Sequence, residues 1–299
     1  MKISVHADDL GLSRAVNEAI FAAYDDSALA GASLVVNGPE LDHACAGLRL
    51  RPGLWAVLHL NLFEGRALAG PCPELTDRHG NFRHGFASLW LATVFASRPK
   101  RARYRAALAR ECRAQLARMR EALGRDRPLA LDGHLHAHMI PLVLETLVAL
   151  ARETPIARMR LPREAFFAAP AAPGARSAYF GANLVKHLLL NRLAAHARRI
   201  MDAEGIAHND YFVGVLFTGR MSPPVVEQAL KALTLRRDVP RTIAVEILFH
   251  PGPAAAVEEH AWFGRPAYRH FYFSPARAAE TRALHDPALR ETLARYATK

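Results

Sequence analysis

Cysteine is scarce in this 299-residue chain. Its three copies, Cys45, Cys72 and Cys112, are far apart and form no CxxC pair, which argues against a disulfide framework and a thiolate zinc site and points to a reducing compartment. Long apolar runs are missing too. No window approaches the roughly 18 uncharged apolar residues of a membrane span, and the N-terminus enters a strand pattern at once, without a charged n-region and an apolar run. We therefore expect no signal peptide, no membrane span and a cytoplasmic location. Acidic residues are in deficit: 28 Asp+Glu stand against 39 Lys+Arg, a formal net charge of +11. That excess would suit nucleic acid or a lipid surface. However, no aromatic-rich nucleic-acid motif interleaves with the arginines, which lie scattered on helical stretches such as Arg98 to Arg127 and read as a solvated face. Internal repeats and low-complexity linkers are absent as well.

A hydrophobic content of 51% can bury a sizeable core. We expect one domain over 1–299, with a loop insertion at 64–100 and helical additions at 180–205 and 275–299. The chain begins with a period-2 strand, Lys2-Ile3-Ser4-Val5, that runs into Asp8-Asp9 and Gly11. Two adjacent carboxylates repel unless a metal or a shared proton lies between them. Ser13 then caps a helix with apolar residues at Val16, Ala19, Ile20 and Ala23. A strand over Ala32–Asn37 and a helix over Glu40–Leu48 follow, giving the alternation of a parallel α/β sheet.

The third strand, Trp55–Leu62, puts His59 and Asn61 on one face. A lone histidine in such a strand is commonly a satisfied core residue. Beyond Glu64-Gly65 an irregular segment runs to Gly85, either a substrate-facing loop or a surface excursion. After a long basic helix from Ala102 to Leu123 comes Asp132-Gly133-His134-Leu135-His136-Ala137-His138, the strongest local signal in the chain. An extended backbone would align Asp132, His134, His136 and His138 on one face, where buried imidazoles each need a partner; the alternative is a polar edge strand. Further on we expect a helix over Glu145–Arg152, a strand over Ala157–Pro162 delivering Arg160, and a helix over Ala182–Glu204 whose leucines and basic residues keep a lipid-facing role open. A Phe212–Val215 strand, a Pro224–Leu233 helix, a strand over Thr242–Gly252 ending in His250-Pro251-Gly252, and a helix to Tyr296 complete the chain.

The polar groups thus gather at the carboxyl ends of separate strands, where parallel-sheet enzymes assemble their sites. One carboxylate and two imidazoles suit zinc, nickel, cobalt or iron and can hold manganese or magnesium. Ala7-Asp8-Asp9-Leu10-Gly11-Leu12-Ser13 with Asn17, Leu58-His59-Leu60-Asn61-Leu62 with Glu64-Gly65, Asp132 to His138, and Glu246 with His250-Pro251-Gly252 resemble, in order, the signature blocks of the YdjC-like carbohydrate deacetylases. Leu10 stands where that family usually has Phe, and His6 where it often has Asn.

The resemblance implies an irregular (β/α) barrel of the polysaccharide deacetylase type. It also implies one divalent metal ion, zinc or magnesium first and nickel, cobalt or manganese next, on Asp9, His59 and His134, with Asp8 as general base and His250 as general acid. Asn37, Asn61, Glu64, His136, His138, Arg160 and Glu246 then contact substrate or support the ligands, with Arg160 either orienting Asp8 or making a structural salt bridge. Met159-Arg160-Leu161-Pro162-Arg163-Glu164, Lys186 to Arg199, Asn209-Asp210 and Tyr272-Phe273-Ser274-Pro275 resemble the branch associated with hopanoid biosynthesis. Its implied substrate is an N-acetylglucosamine on a hopanoid lipid at the inner face of the membrane; the alternative is a soluble chitooligosaccharide such as diacetylchitobiose. The resemblance leaves room for a homodimer. The rival readings are a metal-dependent phosphoesterase and a basic nucleic-acid-binding module.

Overall fold

A computed structural model describes residues 1–124, 128–240, 242–253, 271–272 and 274–297. Arg127 of the basic stretch, Phe273 of the tail and the last two residues lie outside them. Seven strands form one sheet: β1 (Lys2–Leu10), β2 (Leu29–Leu34), β3 (Trp55–Leu60), β4 (Leu129–Gly133), β5 (Ile156–Met159), β6 (Tyr211–Val213) and β7 (Ala244–Phe249). Their order is β5-β4-β3-β2-β1-β7-β6, and every pairing is parallel. Parallel strands need crossovers, which here are mostly helices that cover the outer face.

The sheet curls until its two edges meet. Met159 N–H donates to Ala207 O at 2.9 Å, and Phe212 N–H donates to Arg163 O at 2.8 Å. Between them Asn209 pairs with both backbone groups of Leu161, accepting from its N–H at 2.8 Å and donating to its carbonyl at 2.7 Å. The expected irregular α/β barrel is the fold observed.

Local chemistry explains the helix boundaries. Helix α1 (Arg14–Asp26) starts where the Ser13 hydroxyl accepts from Val16 N–H at 3.2 Å, and it buries Val16, Ile20, Phe21 and Ala23. Prolines open α5 (Pro141–Ala151) and α8 (Pro223–Leu235), since the first turn has no use for their missing N–H. Helix α5 therefore begins four residues before the expected Glu145. Helices α2 (Leu41–Arg49), α4 (Arg98–Leu123), α6 (Ala175–Phe180) and α7 (Ala182–Ala203) complete the outer layer, together with the C-terminal helices Pro275–His285 and Pro287–Tyr296. Within the 64–100 segment, α3 (Phe86–Val94) is a helix that the sequence pattern does not reveal.

The arginines of α4 have structural partners. Arg101 and Arg105 pair with Glu145, and Arg113 pairs with Glu153. All three cysteines are free and buried. Among the described residues, no helix is long and apolar enough to cross a membrane.

The largest departure from expectation follows β4. The strand ends at Gly133, and His134–Met139 is a short 3-10 segment in which Leu135 (φ 49°) and His136 (φ 59°) adopt the left-handed conformation. The four polar residues therefore do not share one extended face. The chain folds back so tightly that a Cβ on residue 133 would lie 2.7 Å from His138 Nδ1, so only glycine fits there. Strand β2 also sits three residues earlier than expected, because the chain turns at Val35–Gly38 (Gly38 N–H to Val35 O, 3.0 Å), leaving Asn37 beyond the strand.

Candidate active site

The carboxyl ends of β1, β3 and β4 surround a cavity of about 190 Å³, lined among others by Asp8, Asp9, His59, His134 and His250. Asp9 has φ 77°, a left-handed conformation that costs a β-strand residue on the order of 1–3 kcal/mol. That twist lets two adjacent carboxylates face different partners. Asp9 Oδ2 is held by the buried Arg277, leaving Oδ1 3.3 Å from His134 Nδ1 and 3.7 Å from His59 Nε2. The two imidazole nitrogens are themselves 3.3 Å apart.

Parallel register places His59 beside Asp132 on the neighbouring strand, and His59 Nδ1 lies 2.6 Å from Asp132 Oδ1. A proton on Nδ1 turns the Nε2 lone pair toward Asp9. On the far side of His134, Nε2 lies 3.1 Å from Glu64 Oε2 and 2.7 Å from the Tyr272 hydroxyl, which donates to the same Glu64 oxygen at 2.6 Å. Burial disfavours the His134 imidazolium, but flanking Asp9 and Glu64 overcome this and raise its pKa to about 9. A cation held here would take the place of the Nδ1 proton, and its loading would release a proton. One carboxylate oxygen and two imidazole nitrogens, all within 4.8 Å of one another, are a donor set that fits a divalent metal.

Asp8 faces elsewhere. The Arg160 guanidinium grips it with two hydrogen bonds of 2.9 Å each. Arg160 also contacts Asp132 Oδ2 at 2.7 Å and Glu246 Oε1 at 2.5 Å, so three buried carboxylates share one cation. Burial would raise the Asp8 carboxyl, but Arg160 and then His59 hold it well below the usual carboxylate range. Arg160 therefore both orients Asp8 and makes structural ion pairs. His6, Asp8 and Asp132 also cluster closely, but there the Arg160 guanidinium pairs with both carboxylates and the Ser33 hydroxyl contacts both His6 and Asp132, so these groups already have protein partners.

His250 follows the end of β7. Its backbone N–H donates to the buried Glu280 at 2.6 Å, and its Nδ1 lies 3.6 Å from the same carboxylate. The remaining expected residues divide by position. His136 lines the cavity, and burial keeps it neutral. His138 points behind the site to Arg160 O at 3.0 Å, with burial pushing its pKa to about 4. Asn61 accepts from the N–H groups of Phe63 and Glu64 and donates to Asn37 Oδ1, while Asn37 reaches Arg66 O, so this pair shapes the loop that presents Glu64. The start of the irregular 64–85 segment thus enters the site, and the rest folds back on itself through Arg66–Asn81 and Thr76–Phe82 bridges. Glu246 lies under the site, bonded to Arg160 and Arg158.

Sequence reasoning assigned no role to Asp132, Tyr272, Arg277 or Glu280. Asp132 stands two residues before His134 and was findable as a strand-end acid. Arg277 meets Asp9 across 268 residues and Tyr272 meets Glu64 across 208, separations that leave no local pattern.

Comparisons with known proteins agree with this architecture. A family model described as YdjC-like protein matches residues 2–295. A carbohydrate deacetylase of Homo sapiens is 30% identical over 308 residues, covering 98% of this chain and 87% of that protein. A chitooligosaccharide deacetylase of Escherichia fergusonii is 30% identical over 202 residues, covering 65% of this chain and 75% of its own length. The crystal structure of a putative cellobiose-phosphate cleavage protein from Enterococcus faecalis superposes with a TM-score of 0.64 at 17% identity, covering 99% of this chain and 94% of that one, a likeness of fold. With a family model spanning nearly its full length and a relative aligned over almost all of it, this chain belongs to the YdjC-like family.

Proposed function

We propose that the chain is a metal-dependent N-deacetylase that hydrolyses the acetamide of an N-acetylglucosamine-type sugar. The observation that carries this reading is the convergence of Asp9, His59 and His134 donor atoms beside an arginine-clamped Asp8, in a family whose relatives bear the names of carbohydrate deacetylases. A divalent cation on the three donors supplies Lewis acidity toward the carbonyl and a lowered pKa for the attacking water.

The chain's own groups do the rest. Asp8, kept ionised by Arg160, accepts the proton of the water that attacks the carbonyl carbon. His250 gives a proton to the departing nitrogen as the C–N bond breaks, so acetate and a free amine leave. Asp132 and Glu64 hold His59 and His134 from behind so that their donor atoms stay aimed inward.

Acetate release from N-acetylglucosamine conjugates, measured after chelation and after re-addition of single divalent metals, tests the activity. Chelation should abolish release and one or more metals should restore it; no release with any metal would sink the deacetylase reading. His134→Ala is expected to leave less than about a tenth of the metal bound, by plasma mass spectrometry after dialysis, because losing one of three protein ligands removes most of the site.

For the substrate, a sugar carried on a hopanoid lipid is supported by exposed apolar residues at the end of α6 and on the solvent face of α7. Phe180 is 87% exposed, Val185 68% and Leu188 62%, with Arg192 and Arg199 exposed farther along. Such a face suits an amphiphile at a membrane surface. A soluble chitooligosaccharide is supported by the names of the bacterial relatives. Glycolipid mass spectra from cells with and without the protein separate the two: a shift of one acetyl group appears only in the first case.

A further inference from the structure

Helix α7 delivers to the cavity a charged group that the reaction above does not use. Asn183 and Lys186, neighbours at i and i+3 on one helix face, line the cavity together with Thr218, Asp8 and His250. Lys186 Nζ donates to Thr218 Oγ1 at 3.3 Å and makes no ion pair among the described residues. The Thr218 hydroxyl is itself committed, with Gly214 O at 2.6 Å and Val215 O at 2.8 Å as its acceptors, which leaves a lone pair for the lysine. An ammonium has three N–H donors, and here only one finds an acceptor among the described residues.

The group is held in place rather than left to swing. The buried Glu164 carboxylate accepts from Gly214 N–H at 2.7 Å, Val215 N–H at 3.0 Å and Leu216 N–H at 2.8 Å, and it lies 2.9 Å from Nδ1 of His187, the residue after Lys186. One carboxylate thus joins α7 to the loop after β6 and sets Lys186 against Thr218. Counter-charge is present at longer range: burial pushes the lysine pKa down, while Glu164, Asp8 and Glu280 pull it up. What the ammonium lacks, among the described residues, is further short hydrogen-bond acceptors.

We propose that Lys186, seated by Thr218, is a substrate-binding residue that donates to a neutral oxygen of the sugar, a ring hydroxyl or the glycosidic oxygen, and so sets which sugars are accepted. This inference rests on the deacetylase reading for the identity of the sugar. A neutral oxygen fits better than an anionic substituent, because the same cavity presents the carboxylates of Asp8 and Asp9. A site built to donate to a substrate oxygen discriminates strongly against analogues that lack it.

The test is equilibrium binding of octyl N-acetyl-β-glucosaminide to wild type and Lys186→Met by calorimetry, alongside steady-state acetate release and thermal melting. Methionine keeps the apolar stem and deletes the ammonium. Kd and KM should rise about 10- to 100-fold, the worth of a charged hydrogen bond, with kcat within about threefold. Tm should hold or rise, because the variant removes a partly desolvated charge. Lys186→Gln, which retains a donor, should recover part of the affinity. Unchanged Kd, a loss confined to kcat, or a fall in Tm accompanying the weaker binding would each overturn the proposal, as would a Lys186-dependent preference for a phosphorylated or carboxylated sugar. Binding by wild type without acetate release sinks the deacetylase reading alone, whereas absence of wild-type binding sinks both.

Discussion

Asp8→Asn is expected to slow acetate release by about 10²- to 10⁴-fold, the usual contribution of a positioned general base, while the purified variant still binds its metal. The two halves of this result follow from the different directions in which adjacent carboxylates point. Asp8 is 3.9 Å from His59 Nε2 and is gripped on both oxygens by Arg160, whereas Asp9 faces the two imidazole nitrogens. Asparagine preserves the size of the side chain and one acceptor for Arg160, but it cannot take up a proton. Metal content by plasma mass spectrometry and single-turnover acetate release are the two readouts. A variant with a normal rate would remove Asp8 as the base; a variant that lost its metal would make Asp8 part of the ligand set.

Arg160→Leu carries the largest expected cost in stability, about 3–5 kcal/mol, because it strands buried carboxylates that lose their common partner. Asp8, Asp132 and Glu246 are 4%, 0% and 3% exposed, and all three touch the guanidinium. Equilibrium urea unfolding at neutral pH measures the loss. Arg160→Lys should recover little, since an ammonium cannot reproduce the planar fork that spans Asp8 while reaching Glu246 through Nε. A loss below about 1 kcal/mol for the leucine variant would mean that these carboxylates are neutral or solvated. A double variant, Arg160→Leu with Glu246→Leu, should be less destabilised than the sum of the singles, because it leaves one fewer orphaned charge.

The seven-residue stretch from Asp132 to His138 shows where sequence reading succeeded and where it failed. Its density of polar side chains marked the site, and His134 does enter it. Its alternation implied an extended backbone, yet the chain coils immediately after Gly133. The turn, with left-handed Leu135 and His136, keeps His134 and His136 at the cavity but sends His138 behind it toward Arg160 O. The clue was Gly133, whose missing Cβ permits the return of His138 to within contact. Helix α3 was hidden for another reason: its residues, Phe86–Val94, are apolar on nearly every side, with Leu91 and Val94 exposed, so no polar face alternates with a buried one to mark a helix. The arginines of α4 do form a solvated face, and what the sequence did not show is that Arg101 and Arg105 share the Glu145 carboxylate on that face and so link α4 to α5. An ion pair across 40 or more residues leaves no periodic mark.

By itself the sequence determined the parallel α/β architecture, through alternating apolar strands and amphipathic helices. It also determined the placing of Asp8, Asp9, His59 and His250 at strand ends, through the position of each in or after an apolar run. Those are local properties, because strand period and turn chemistry act over a few residues. Tertiary structure alone decided what each group faces. Sheet register put Asp132 behind His59, barrel curvature brought Arg160 across to Asp8 and Glu246, and the C-terminal segment laid Tyr272 and Arg277 over the residues of the first strand ends. The physical reason is that side-chain hydrogen bonds and ion pairs depend on ångström-scale approach between residues remote in the chain. Only closure of the barrel makes that approach.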